Sequence, residues 1–228
     1  MYHFYIICEN EKAFKDKANY LRTLENEKIA DIIYIPAVYH KVTENNSNVL
    51  DNLKVMYNTD IKKKIGKKGC ISAHLNALIS ILNNKSQNNI ILEEDAIFTN
   101  RLPSPPEFSS YMGGWIINKL IKDIKKPVIS TDLNLSESDN NQLIEIDYSK
   151  YRIIQTHSLF IKYEDVKPLI ETIYDKKIKS YDIHLSEIQF FKKYYYPQIF
   201  KQEQHISTID NSKTHSYDNY NIKYPLHQ

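Results

Sequence analysis

The chain has 228 residues and a mass of 26.9 kDa, enough for one domain with a sizeable core and a small appendage. Apolar residues make up 42% and aromatics 12%, which excludes general disorder. Thirty basic against 28 acidic residues leave a formal charge of +2, too balanced for a protein that holds nucleic acid by neutralising phosphates.

The opening Met1 to Cys8 is too short for a secretory or membrane segment, and no later run approaches the roughly 18 apolar residues of a span, so a soluble, cytoplasmic protein without a transmembrane segment is expected. His3 to Cys8 reads as a buried strand, Glu11 to Asn26 as a helix and Asp31 to Pro36 as a second strand. Lys41 to Lys64 is polar and weakly patterned, a loop with a short helix. Its lysines Lys62, Lys63 and Lys64, with Lys67 and Lys68, read first as a solvated face and second as a polyanion site. From about Gly69 an amphipathic helix is expected, with Ile71, Leu75, Leu78, Ile79 and Leu82 on its apolar side.

Ile90 to Leu92 is a short apolar run that enters Glu93, Glu94 and Asp95, the pattern of a buried strand ending in acid. Arg101 to Glu107 holds three of the eight prolines and reads as a surface loop. Gly113, Gly114 and Trp115 read as a flexible turn with an aromatic that covers a site, or as a core anchor, and Trp115 to Ile124 as a helix. Strands are expected at Pro127 to Thr131, Leu143 to Ile146 and Arg152 to Ile161, and helices at Glu164 to Tyr174 and His184 to Lys193. The expectation is a single domain over 1–210 with a polar tail over 211–228. Such alternation predicts an α/β fold with a mainly parallel sheet flanked by helices, whose ligands bind beyond the carboxyl ends of the strands.

The acidic triplet lies where such a ligand would sit. In an extended chain Glu93 and Asp95 point to one side and Glu94 to the other, so the first and last converge on a common hard cation, Mg²⁺ or Mn²⁺, which also binds substrate phosphates. The plainer reading is a triplet that opens a loop or caps a helix. Cys8 and Cys70 lie far apart without paired spacing and suggest neither a disulfide framework nor a zinc site; both are expected to be reduced and buried.

From Gly66 the chain reads Gly-Lys-Lys-Gly-Cys-Ile-Ser-Ala-His-Leu, then a helix, then Ile-Ile-Leu-Glu-Glu-Asp-Ala. This resembles glycosyltransferase family 25, the lipooligosaccharide and collagen galactosyltransferases, with its G-x-x-G-C, Ser-His and Leu-Glu-Asp-Asp-Ala pattern. Ile35-Pro36-Ala37-Val38, Ser158-Leu159-Phe160-Ile161, Ser180-Tyr181-Asp182-Ile183 and the segment from Gln202 to Ile209 resemble further elements of that family, so the likeness spans about residues 1 to 210. Glu94 stands where the family has Asp, Ala73 where it has Ser, and Glu9-Asn10-Glu11-Lys12 where it has an arginine-rich stretch.

The resemblance implies a GT-A type (Rossmann-like) fold and an inverting, metal-dependent transfer of galactose or glucose from a UDP-sugar to a glycan or hydroxylated protein acceptor, as in lipopolysaccharide biosynthesis. It implies Asp95 and Glu93 as ligands of Mn²⁺ or Mg²⁺, Glu93, Glu94, His74 and Gly69 as donor-binding residues, and Asp182 as the base. Beside these stand plainer roles: His74 as a buried structural histidine, and Asp182 as the N-cap of a helix starting at Ile183. His184 and His205 are further candidate ligands, and Tyr34 and Tyr111 further sugar-stacking candidates. Two other functions fit the same residues, another metal-dependent nucleotide enzyme and a noncatalytic glycan-binding protein.

Overall fold

The computed structural model describes residues 1–38, 61–99, 101–119, 141–154, 157–175, 178, 180–196 and 198–202. Strand β1 (Tyr2–Cys8) leads into helix α1 (Glu11–Glu25), a short 3-10 turn at Asn26–Lys28 and strand β2 (Ile29–Pro36). Asn10 starts α1: its backbone is extended and its side-chain oxygen accepts the Ala13 N–H at 3.0 Å, satisfying one of the donors a helix start leaves open. The long helix α2 (Ile61–Asn84) then brings the chain to β3 (Asn88–Glu93). Both β2 and β3 pair in parallel with β1, one on each edge. Strand order therefore reverses at β1, the position where doubly wound folds open a crevice for ligands.

The remaining elements are β4 (Ala96–Phe98), β5 (Ser110–Tyr111), β6 (Trp115–Asn118), β7 (Gln142–Glu145), β8 (Tyr151–Ile154), β9 (Ser158–Lys162), α3 (Tyr163–Asp175), α4 (Tyr181–Glu187), β10 (Lys193–Tyr196) and β11 (Phe200–Gln202). Seven strands form one sheet in the order β2-β1-β3-β9-β5-β10-β7. Five of them, β1, β2, β3, β5 and β10, run one way, while β9 and β7 run against them. Two antiparallel pairs, β11 with β4 and β6 with β8, sit apart from it. The result is the expected Rossmann-like α/β class with a mostly parallel central sheet.

Strand pleating sends alternate residues of β1 into two different cores. Tyr5 and Ile7 join a core with Ile71, Leu75, Leu78 and Ile81 of α2 and Leu169 and Ile173 of α3. Phe4, Ile6 and Cys8 join the other with Leu21 of α1. Phe4, Tyr5 and Ile6 have no exposed surface, and each such side chain contributes about 1.5–3 kcal/mol by leaving water. The sheet is thus covered on both faces, and this is why β1 and β3 read as continuous apolar runs.

Several elements differ from the sequence expectation. Helix α2 starts at Ile61 rather than near Gly69, and Ile79 lies at its exposed edge, 41% accessible, while Ile81 is fully buried. Helices α3 and α4 and strands β1, β2 and β3 all pack on α2, and Ile81 belongs to the core they share. Trp115 to Asn118 is a strand, not the start of a helix: β-branched Ile116 and Ile117 pair across to β8. Arg152 to Ile161 divides between β8 and β9, which belong to different sheets. The last helix runs over Tyr181–Glu187 instead of His184 to Lys193; Gln189 follows it in the left-handed region (φ 52°) and Lys193 already pairs with β5 and β7. The expected strand at Pro127 to Thr131, the loop over 41–60, the 211–228 tail and His205 lie outside the described residues. Among those described, no helix is long and apolar enough to cross a membrane.

Candidate functional site

Glu93 is the last residue of β3 and shares a strand face with Ile91, which packs toward α2. On that side its Oε1 meets His74 Nε2 at 2.9 Å. His74 is 1% exposed, and its ring stacks on that of Tyr181 with centroids 4.3 Å apart. Three side chains thus join the end of β3, the middle of α2 and the start of α4. The Glu93 backbone N–H donates to the His157 carbonyl at 2.9 Å, which fixes the strand end.

The other two acids go elsewhere. Glu94 is exposed, and its Oε2 accepts the Glu9 N–H at 2.7 Å, fastening the turn after β3 to the end of β1. Asp95 accepts from Gln202 Nε2 at 2.7 Å, across to β11. The two-residue alternation of an extended chain stops applying at Glu93, because Glu94 and Asp95 form the turn into β4. Gly69 is buried within α2, one residue before Cys70, so it belongs to a helix interior and not to a glycine loop.

A cavity of about 100 Å³ opens beside this strand end. Lys67 and Cys70 of α2, Glu93, and Gln202 line one part of it, and Ser180, Tyr181 and Asp182 the other. Asp182 is the second residue of α4, where its Oδ1 accepts the Ile183 N–H at 2.8 Å; Ser180 holds the N-cap position that the sequence offered to Asp182. Ser186 anchors α4 by accepting the Ile153 N–H at 2.8 Å and donating to the Ile153 carbonyl at 2.6 Å. The predicted Glu93 and Asp182 therefore line one cavity, and Asp95 reaches its edge through Gln202.

Negative charge marks the cavity's electrostatics. Burial lifts the Cys70 thiol well above its ordinary 9.0, and the nearby carboxylates Glu93, Asp182 and Asp95 push it further. Tyr181 is held far above its usual range by burial first, with Cys70 and Glu93 adding to it. Lys67 is the cation among the described lining residues.

Other sequence candidates take structural places. His184 is buried and its Nε2 meets the Thr172 hydroxyl at 3.1 Å. Tyr111 is wholly buried against Phe191, and Tyr34 packs on Phe14 at 5.1 Å. Gly113 and Gly114 are buried between β5 and β6 and not a loose turn over the cavity: a Cβ on Gly113 would fall against His157 Nε2 and, at 2.5 Å each, the Phe200 carbonyl and the Ser158 hydroxyl. Gly114 adopts φ 118° and its carbonyl accepts the Tyr194 hydroxyl at 3.0 Å.

Sequence reasoning passed over Lys67 as one of a solvated lysine run, and over Cys70 by seeking a second cysteine. Both cysteines are free, with Cys8 buried and Cys70 half-buried. The available signal was the spacing of Cys70 and His74, one helical turn apart and so on one face of α2. No protein-family model matches the chain, and no curated protein sequence matches it.

Proposed function

We propose that this chain is a cytoplasmic GT-A type glycosyltransferase that moves a hexose, galactose or glucose, from a UDP-sugar to a hydroxyl of a glycan or hydroxylated protein, with inversion. The observation that carries the reading is the shared cavity: Glu93 and Asp182, far apart in sequence, line one space with Lys67 between the end of β3 and the start of α4. Its place beside the strand-order reversal at β1 is where α/β folds take nucleotides.

In this reading Asp182 accepts the proton of the attacking acceptor hydroxyl, and Lys67 sets positive charge beside the departing diphosphate. His74 keeps the Glu93 carboxylate in place, and Tyr181 keeps the imidazole in place. Carboxylate oxygen suits a hard divalent ion: Glu93 offers it at the cavity, and Asp95 is joined to Gln202 on the cavity wall. Mn²⁺ or Mg²⁺ held by Asp95 and Glu93 would supply Lewis-acid neutralisation of the diphosphate.

A donor screen tests the proposal: nucleotide release from several sugar nucleotides is measured with Mn²⁺ on the natural chain and on Asp95→Asn. Release that the substitution abolishes is the expected result. Failure of every donor would overturn it in favour of a glycan-binding protein, and release of inorganic phosphate without sugar transfer would favour another metal-dependent nucleotide enzyme.

A further inference from the structure

Cys70, His74 and Glu93 offer a sulfur, an imidazole nitrogen and a carboxylate oxygen that all lie within 4.8 Å of one another. Among the described residues this is the one group of three such side chains that converges so closely. The ligand atoms of a tetrahedral zinc ion stand about 3.3–3.8 Å apart, so the group is within small side-chain movements of a binding geometry. Two donors come from one face of α2 and the third from the end of β3, elements that pack directly on each other.

A second observation points the same way. His74 is 1% exposed, yet its Nδ1 has no hydrogen-bond partner, while Nε2 meets Glu93. A buried ring nitrogen with nothing to bond costs free energy unless a ligand takes it up. Coordination through Nδ1 would leave Glu93 as the carboxylate that orients the ring, a common arrangement in metal sites; coordination through Nε2 would make Glu93 a ligand itself. In the first case Cys70 and His74 hold the ion and Glu93 supports the ring from its other side; in the second all three side chains are ligands.

We infer that Cys70, His74 and Glu93 form a site for a borderline-soft divalent cation of the zinc class, distinct in chemistry from the hard ion of the glycosyl-transfer reading. Thiolate and imidazole select zinc or cobalt over magnesium, calcium and manganese, which favour all-oxygen shells. Cys70 and Glu93 also line the cavity, so the remaining coordination position faces space for water or a small ligand group, as in open zinc sites. An ion held here engages Glu93 on the α2 side, where it already meets His74, and competes for that carboxylate. The inference does not depend on sugar transfer.

The full-length chain, stripped with a chelator, is titrated with Co²⁺ alone and with Zn²⁺ against a chromophoric chelator. The expected result is one ion per chain, a thiolate-to-cobalt charge-transfer band, and binding of Mn²⁺ at least about tenfold weaker than Zn²⁺. Cys70→Ser removes the band and weakens Zn²⁺ by more than about a hundredfold, whereas Cys8→Ala keeps both. Should Cys70→Ser fail to fold, Glu93→Gln carries the test with an expected loss of about 10–100-fold in Zn²⁺ affinity. A natural chain without the band, a band that survives in Cys70→Ser, or Zn²⁺ affinity unchanged in Glu93→Gln would overturn the inference.

Discussion

His74 Nε2 stands 2.9 Å from Glu93 Oε1, a contact between the buried middle of a helix and the acidic end of a central strand. The histidine is 1% exposed and the carboxylate 29%, so one partner is rooted in the core while the other reaches the cavity. This pair is how the packing of α2 sets the position of a charged group at the candidate site.

Its loss should be measurable. His74→Ala removes a buried ring, its stack on Tyr181 and the Glu93 contact, for a cost of about 2–3 kcal/mol. In a domain of this size that lowers Tm by about 4–12 °C in a thermal melt. A double-mutant cycle with Glu93→Gln should return a coupling of about 0.5–3 kcal/mol; additivity of the two would show that the pair does not interact.

Asp182→Asn separates chemistry from folding. The amide oxygen can still accept the Ile183 N–H, so thermal stability should hold within about 0.5 kcal/mol. If Asp182 accepts the acceptor proton, kcat falls by about 10²–10⁴-fold with little change in donor KM. A variant as active as the natural chain removes Asp182 from that role.

Lys67→Ala addresses the donor. With the cation among the described lining residues gone, donor binding should weaken by about tenfold, equivalent to about 1.4 kcal/mol, and the remaining binding should depend less on salt. Isothermal titration with UDP at two salt concentrations reads both effects. Equal affinity in variant and natural chain would return Lys67 to the solvated face.

Gly113→Ala should be among the more damaging small substitutions. The added methyl meets the Phe200 backbone carbonyl and the Ser158 hydroxyl at 2.5 Å, as well as His157, and a carbonyl held in the β11 region cannot simply rotate away. Overpacking of this kind costs about 1–3 kcal/mol, visible as a fall in Tm of about 2–12 °C.

Cys8 gives the pH dependence. Burial, helped by the charge of Glu94 and opposed by Lys17, pushes its thiol from 9.0 up to about 12. The folded chain therefore keeps a proton that the unfolded chain loses, so this group's contribution to stability is complete below about pH 9 and falls away as pH rises toward 12. At pH 8.5 iodoacetamide should leave Cys8 unmodified in the native protein and alkylate it in urea, as read by peptide mass spectrometry. Rapid alkylation of the native chain would show that the β1 end is open.

Much of the fold was legible because local patterns reflect local physics. Continuous apolar runs at β1 and β3 announce buried strands, and the helix expected from Glu11 is the observed α1. Where the outcome hinged on a distant partner, the pattern misled: Ile116 and Ile117 fit a helix until β8 is present to pair with them, and Ile79 fits the apolar stripe yet is exposed while Ile81 is buried. The acidic triplet was half-read: its residue types were visible, but the alternation expected to bring Glu93 and Asp95 to one side ends at Glu93, where the chain turns.

By itself the sequence determined the α/β class, the order of its main elements at the amino-terminal half and an acid-ended central strand, because periodicity and apolar content act within a few residues of chain. Only the tertiary structure decided that Glu93 turns to His74, Glu94 to Glu9 and Asp95 to Gln202, and that Lys67, Cys70 and Asp182 meet around one cavity. Those meetings join elements separated by long stretches of chain. They are fixed by how helices pack on the sheet, a property that no single segment carries.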